Sequence, residues 1–230
     1  MTLMRLHDTL LAHFGAQHWW PAETPFEVMV GAILTQNTAW TNVQRAIKAL
    51  KTADALSVAA ILALDHDTLA ALIRPAGYFN VKARRLKALC QSLYDAGVAD
   101  APERLAQQGT AAELRDRLLT INGVGAETAD SILLYALERP SFVVDTYTRR
   151  SFTRLGLLRG NETYAAIQAY FQAALPTDLA LFNEYHALIV ALGKHHCRPT
   201  PRCAGCPLNT HCAHDQHAQH TLPLRKTAAL

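Results

Sequence analysis

Residues 118–129 decide the fold; they run Leu118-Leu119-Thr120-Ile121-Asn122-Gly123-Val124-Gly125-Ala126-Glu127-Thr128-Ala129. Two glycines, one residue apart, separate two segments rich in helix-forming residues. Because glycine has no Cβ, it permits a tight turn and lets another group approach the backbone closely. The segment predicts a helical hairpin, and the N–H groups at the start of its second helix can bind a phosphate. A plain hairpin whose glycines serve only packing is the alternative.

On both sides of this hairpin, apolar residues recur every three to four positions, as they do in amphipathic helices. Asn37-Thr38 offers a cap for the helix that follows it. We find no convincing run of alternating strand residues, no internal repeat and no long linker, so the predicted fold class is all-α. The predicted helices cover residues 3–14, 26–34, 39–50, 57–64, 67–73, 81–96, 110–119, 127–137, 146–155, 163–174 and 179–194.

The composition of the 230-residue chain excludes several classes of protein. Half of the residues are hydrophobic, 18% are charged and the mean hydropathy is +0.02, which suits a packed core and excludes a mostly disordered chain. No apolar run approaches the roughly 18 residues that span a bilayer, so we expect no membrane partner. The formal net charge of +3 leans mildly toward polyanions. His7 and Asp8 stand where a signal peptide is apolar, so we expect a cytoplasmic protein.

Four of the five cysteines lie close together, in the pattern Cys197-x5-Cys203-x2-Cys206-x5-Cys212. A disulfide framework would be spread along a secreted chain, so this clustering indicates metal ligation in a reducing compartment. Four thiolates can bind either an iron–sulfur cluster or a single zinc ion. One close Cys-x2-Cys pair with two distant cysteines favours the larger cluster. Six of the 11 histidines lie between His195 and His220, which keeps a zinc site open.

The segment Val143-Val144-Asp145-Thr146 places an acid directly after two apolar β-branched residues. Its simplest interpretation is a helix N-cap, because a carboxylate there accepts hydrogen bonds from the first turn of the helix. Lys82 begins a basic run that can line a path for phosphates, with a solvated helix face as the alternative.

Together these segments resemble the helix-hairpin-helix DNA glycosylases of the endonuclease III superfamily, from about residue 3 to Cys212. The resemblance implies a [4Fe–4S] cluster held by the four cysteines, and two helical lobes with DNA in the cleft. Residues 21–138 would form the lobe with the hairpin, and residues 1–20 plus 139–230 the cluster lobe. The resemblance to this family rests on Leu34-Thr35-Gln36-Asn37-Thr38, Gly77-Tyr78-Phe79-Asn80-Val81-Lys82-Ala83, Gly123-Val124-Gly125, Val144-Asp145-Thr146 and the cysteines.

The same resemblance implies roles for individual residues. Asp145 matches the catalytic aspartate of the family, and Gln36 matches the residue that fills the gap left by a flipped base. Glu127 stands where members that also cut the strand carry a lysine, so the covalent route to strand cleavage is absent. The implied DNA-binding residues are Gln36, Gly123, Val124, Gly125 and Lys82, and the candidate catalytic residues are Asp145 and Glu127.

Three stretches resemble the endonuclease-III-like 3-methyladenine glycosylases: Trp19-Trp20-Pro21, residues 31–38 and residues 127–130. The known form of those enzymes lacks the four cysteines. Electron-rich indoles suit a cationic alkylated purine, although tryptophans near an N-terminal helix are also common in cores. Lys194 matches a basic residue at the pocket edge, and a lysine that snorkels at a helix end is the alternative. The candidate base pocket is therefore Trp19, Trp20, Pro21, Trp40 and Lys194.

The sequence thus predicts a monomeric, cytoplasmic and nucleoid-associated glycosylase that acts on double-stranded DNA with damaged bases. It would flip an alkylated purine such as 3-methyladenine and hydrolyse its N-glycosidic bond without cutting the strand. A glycosylase for oxidised or mismatched bases is the alternative within the enzyme class. A non-catalytic DNA-binding protein that uses the hairpin and a metal-stabilised lobe is the alternative outside it.

Overall fold

The computed structural model describes residues 2–214, and these contain eleven α-helices, three short 3₁₀ helices and no strand. The predicted all-α fold is confirmed. The 3₁₀ helices are Arg74–Ala76, Pro102–Gln108 and Asn209–His211. The α-helices are α1 (Leu3–Phe14), α2 (Pro25–Leu34), α3 (Trp40–Thr52), α4 (Val58–Ala63), α5 (His66–Leu72), α6 (Phe79–Asp95), α7 (Ala111–Leu119), α8 (Ala126–Tyr135), α9 (Thr146–Arg154), α10 (Tyr164–Ala174) and α11 (Leu179–His195).

Helix starts follow local side-chain chemistry at most positions. A hydroxyl or carboxylate before the helix accepts a backbone N–H of the first turn at Thr2, Thr24, Ser57, Asp65, Thr110, Asp145 and Thr163. The predicted Asn37-Thr38 cap is wrong, because Ala39 is the N-cap of α3 and no side chain caps it. Asn37 instead has a φ of +52°, so the loop before α3 turns through a left-handed residue.

The described residues divide into two units. The larger unit comprises Trp20–Val143 and Thr177–Asn183. Its core centres on α2, whose residues from Phe26 to Leu34 are all buried. Helices α3, α6 and α8 pack around α2, and α4 and α5 pack on α6.

The smaller unit comprises residues 2–19, Val144–Pro176 and residues 184–214. Phe152, Phe171 and Tyr185 are buried there and pack edge to face, with ring centroids 4.7 to 6.4 Å apart. The Tyr185 hydroxyl donates to the carbonyl of Leu3 over 2.8 Å, which attaches α1 to α11. The sequence-based division placed Trp20 and residues 139–143 and 177–183 with the cysteines, whereas the structure places them in the larger unit.

Among the described helices, none is both long enough and apolar enough to cross a bilayer.

Candidate active site and nucleic-acid interface

The hairpin lies between α7 and α8, in the larger unit. Gly123 has a φ of +85°, a conformation that side chains with a Cβ rarely adopt. Gly125 is the N-cap of α8, and no side chain caps that helix. The first backbone N–H groups of an α-helix have no acceptor within the helix itself. A Cβ at Gly125 would meet nothing within 4 Å, so the approach to these groups is open.

A buried ion pair braces the two helices of the hairpin. Asp130, on α8, is 0% exposed and accepts from the Arg115 guanidinium of α7 at 2.8 and 3.1 Å. The Ser141 hydroxyl donates to the same carboxylate over 2.7 Å. A buried carboxylate is tolerated when it is paired and hydrogen-bonded in this way, so Asp130 serves the hairpin's geometry.

The amide group of Gln36 is attached to the hairpin through Nε2 and to α6 through Oε1. Its Nε2 donates to the Gly123 carbonyl over 3.0 Å and to the Thr128 hydroxyl over 2.9 Å. Its Oε1 accepts from the Arg85 guanidinium. The Arg85 stem crosses the face of Gly123, where a Cβ would collide with Arg85 Cγ. The structure therefore brings Gln36 and the predicted hairpin residues together.

The structure corrects the prediction that Lys82 lines a phosphate path. Lys82 is 1% exposed, and its Nζ donates to the carbonyls of Leu34 and Ala76, each over 2.8 Å. Burial, together with the nearby charge of Arg85, lowers the pKa of Lys82 to about 8. A side chain enclosed in this way cannot contact a phosphate. The helical periodicity of α6 turns Lys82 inward, and the basic composition of the run does not reveal this.

Trp20 and Trp40 form an aromatic group with Tyr135 in the larger unit. Trp20 packs edge to face on Trp40 and at a tilt on Tyr135, with centroids 5.2 Å apart in each case. Gly31 faces the Trp20 indole so closely that a Cβ there would lie 3.3 Å from it. All three aromatic side chains are half-buried, whereas Pro21 is exposed. The group is therefore neither fully core nor fully surface.

Trp19 and Lys194 pair in the smaller unit. The ammonium of Lys194 lies 5.3 Å from the centroid of the Trp19 ring, within the range of a cation–π contact. Partial burial lowers the pKa of Lys194, and attraction to Asp145 opposes that shift. Lys194 is thus a basic group next to an indole.

Asp145 is both a helix cap and a buried charge. It is 8% exposed, and its Oδ1 accepts from the Thr148 backbone N–H over 2.7 Å and from the Thr148 hydroxyl over 2.9 Å. The other oxygen, Oδ2, lies 3.5 Å from Nε2 of His186. Burial alone raises the pKa of Asp145, but His186 and the hydrogen bonds from Thr148 outweigh it and hold the pKa below its ordinary value. The carboxylate is therefore ionised at neutral pH.

Glu127 lies in the first turn of α8 and is exposed. A carboxylate at a helix N-terminus is stabilised by the helix dipole. It offers no amine to a sugar carbon.

The four clustered cysteines are half-buried thiols and none forms a disulfide. Nη1 of Arg154 lies 3.4 Å from Sγ of Cys197, and Sγ of Cys212 donates to the Arg154 carbonyl over 3.4 Å. Among residues 2–214, no three Cys, His, Asp or Glu side chains lie close enough together to hold a single metal ion. A guanidinium beside Cys197 Sγ suits an anionic, cluster-bound thiolate at that position.

Sequence reasoning missed two residues of interest. Tyr78 is 70% exposed and holds a φ of +46° directly before α6, and its only signal was an aromatic residue after Gly77. His186 gave no signal, since a lone histidine in an apolar helix is usually part of the core.

The fold and these sites define a helical DNA-binding protein with a buried, ionised aspartate. The comparisons with known proteins give the family. A family profile described as HhH-GPD superfamily base excision DNA repair protein matches residues 30–177. A provisionally named DNA repair glycosylase of Methanocaldococcus jannaschii is 49% identical over 210 residues, which are 91% of this chain and 95% of that relative. Endonuclease III of Sulfolobus acidocaldarius is 31% identical over 189 residues, 81% of each chain.

Two solved structures are also similar. The 3-methyladenine DNA glycosylase of H. pylori, bound to 1,N6-ethenoadenine, has a TM-score of 0.72 and 28% identity over 84% of this chain and 98% of its own. A non-covalent endonuclease III–DNA complex has a TM-score of 0.81 at 23% identity, over 95% and 97%, and is similar in fold. The chain belongs to the HhH-GPD superfamily of base excision DNA repair proteins.

Proposed function

We propose that this protein is a monofunctional DNA glycosylase that excises alkylated purines. The observation that carries the proposal is Asp145, a buried carboxylate held ionised by His186 and Thr148. Cleavage of an N-glycosidic bond builds positive charge on the sugar, and a fixed negative charge stabilises that transition state. The hairpin would hold the duplex through phosphates, Gln36 would fill the gap, and the exposed Tyr78 ring could stack on the opened duplex.

The preference for alkylated purines follows from the aromatic side chains. A cationic base gains roughly 0.5–2 kcal/mol from an indole face, which neutral adenine or guanine does not gain. Trp20 and Trp40 supply indoles in one unit, and Trp19 supplies one in the other. A positively charged base is also a good leaving group, so no strong general acid is required. The H. pylori relative, which is named as a 3-methyladenine glycosylase, supports the same substrate class.

A panel of duplexes, each with one defined lesion, tests this proposal. The wild type should release free 3-methyladenine, and Trp40→Ala should slow single-turnover release about tenfold. Asp145→Asn should still bind an abasic-site analogue while excision falls by orders of magnitude. If the wild type ignores alkylated bases but removes an oxidised pyrimidine or a mismatched base, the alternative within the enzyme class replaces this one. A protein that binds every duplex and excises nothing is a non-catalytic DNA-binding protein.

We expect no strand cleavage because of the residue at position 127, which is Glu127. Strand cutting through a covalent intermediate needs an amine that attacks the sugar C1′, and Glu127 has none. Lys194 is the amine to exclude, since it lies beside Trp19. Borohydride should trap no adduct, and abasic sites should stay uncut until alkali is added. A strong adduct that disappears in Lys194→Met would assign lyase activity to that residue.

A [4Fe–4S] cluster bound by Cys197, Cys203, Cys206 and Cys212 is the cofactor that we propose. Its role would be structural, in fixing the loop between the cysteines. Protein purified without oxygen should be brown and contain about four irons per chain. Colourless protein with one zinc would point to the competing metal. We also propose a monomer in the cytoplasm, associated with the nucleoid.

A further inference from the structure

Lys82 is a charged side chain in an apolar core, and the proposed chemistry does not use it. Its Nζ lies 2.8 Å from two backbone carbonyls, those of Leu34 and Ala76. An apolar side chain of similar volume would fill the same space without the cost of burying a charge. Space filling therefore does not explain a lysine at this position, whereas hydrogen bonding to the two carbonyls does.

Both carbonyls belong to the ends of helical segments. Leu34 is the last residue of α2 and Ala76 is the last residue of the 3₁₀ helix before α6. Carbonyls at such ends have no partner within their own helix. Two residues beyond Leu34 stands Gln36, and two residues beyond Ala76 stands the exposed Tyr78. One ammonium group thus fixes the spacing between the two chain segments that leave these ends.

We propose that Lys82 is a positioning residue, which holds the Gln36 loop in place against the Tyr78 turn so that Gln36 can enter an opened duplex. Gln36 is anchored on its other side by Gly123, Thr128 and Arg85. The Gln36 loop is therefore attached to the hairpin by the Gln36 side chain and to the core by Lys82. This inference rests on the proposed function, since it assigns Gln36 the gap-filling role.

Lys87 offers a matched control on the same helix. Its Nζ donates to the carbonyl of Leu62 over 3.2 Å and to that of Leu64, at the end of α4. It makes the same kind of contact as Lys82, with the end of another helix. The chain that follows α4 leads into α5 and carries no residue of the proposed DNA interface.

The first experiment compares Lys82→Met with Lys87→Met in duplexes that carry 2-aminopurine beside a single 3-methyladenine. In Lys82→Met, the rise in 2-aminopurine fluorescence, which reports unstacking, should be about tenfold smaller than in the wild type. Single-turnover excision should also be about tenfold slower. Lys87→Met should be close to the wild type in both measurements. A lesion that faces an abasic position is already unpaired and costs less to flip. On that substrate, Lys82→Met should excise at close to the wild-type rate. Equal losses on both substrates would show a merely structural role and overturn the inference.

The second experiment is a double-mutant cycle with Gln36→Ala. If Lys82 acts through Gln36, the double variant should excise no more slowly than Gln36→Ala alone, whereas additive losses contradict the inference. Should Lys82→Met fail to fold, Lys82→Arg replaces it in both experiments, because it keeps the charge but alters the geometry of the donors. A wild type that neither unstacks nor excises contradicts the proposed function. A wild type that does both, with Lys82 variants equal to Lys87→Met, contradicts only the role of Lys82.

Discussion

At the scale of single residues, Asp145 has two kinds of partner with separate consequences. Thr148 occupies Oδ1 as in any capped helix, and His186 lies beside Oδ2. Because the folded-state pKa lies below the ordinary 3.8, the carboxylate stabilises the fold above pH 3.8, and this contribution is lost as the pH falls through the folded value.

The first prediction concerns pH. Between about pH 8 and about pH 5, excision by the wild type should show no loss from protonation of Asp145. His186→Phe removes a group that lowers the pKa of Asp145, so the acid limb of the single-turnover pH profile should move to higher pH. Thr153→Ala serves as the control, because Thr153 lies on α9, the helix that Asp145 caps. If His186→Phe leaves the acid limb in place, His186 does not tune Asp145.

The two hairpin glycines give a second prediction, because their surroundings differ. A Cβ at Gly125 would meet no protein atom within 4 Å, whereas one at Gly123 would collide with Arg85 in a backbone conformation of φ +85°. Gly125→Ala should therefore keep the wild-type melting temperature and weaken DNA binding about tenfold, because the new methyl group blocks a phosphate. Gly123→Ala should lose about 1–2 kcal/mol or more of stability from the left-handed conformation alone.

Thermal melts and binding titrations on one undamaged duplex separate these effects. If Gly125→Ala binds DNA as well as the wild type does, the hairpin is only a packing device. A Gly123→Ala protein of normal stability would contradict the described turn.

At the scale of elements, α9 joins the aspartate to the cysteines. Asp145 caps its N-terminus, and Arg150 and Arg154 point from its later turns to the cysteine loop. Nε of Arg150 donates to the Cys197 carbonyl over 2.6 Å, and Arg154 donates to the carbonyls of Arg198 and Pro199 at 2.6 and 2.8 Å. The helix thus holds the backbone of the loop.

The third prediction follows from these bonds. Arg154→Met should loosen the loop, so that the anaerobically purified protein loses iron and visible absorption faster in air than the wild type does. Arg149→Met is the control, since Arg149 lies on the same helix but donates to the Glu162 carbonyl over 2.8 Å. Equal rates of iron loss in the two variants would contradict this account of α9.

Helices were the most predictable elements, because periodicity and caps are local. Every predicted α-helix is present, with ends that differ by at most two residues. The three 3₁₀ helices were missed, since segments so short carry no apolar repeat. The Asn37-Thr38 cap failed for a non-local reason: Gln36, next to it, is attached to a hairpin that follows 87 residues later in the chain.

At the scale of the whole molecule, the residues named in the proposed function are divided between the two units. The hairpin and Gln36 belong to the larger unit, whereas Asp145 and the four cysteines belong to the smaller one. Motifs with fixed spacing, such as the cysteines and the glycines, could be located from the sequence because their residues lie close together along the chain. The His186–Asp145 pair could not, because tertiary packing brings these two distant residues together. The burial of Lys82 follows from its helical register with the buried leucines of α6, which the basic composition of the run obscured.

The central claim is hydrolytic excision of an alkylated purine, and the most direct measurement is product identity after one turnover. A duplex with a single 3-methyladenine is mixed with excess enzyme, and both the released base and the treated strand are identified by mass. We expect free 3-methyladenine together with a full-length strand that carries an intact abasic site. A strand that keeps its lesion would overturn the proposed excision, and a strand cut at the abasic site before alkali is added would overturn its hydrolytic mechanism.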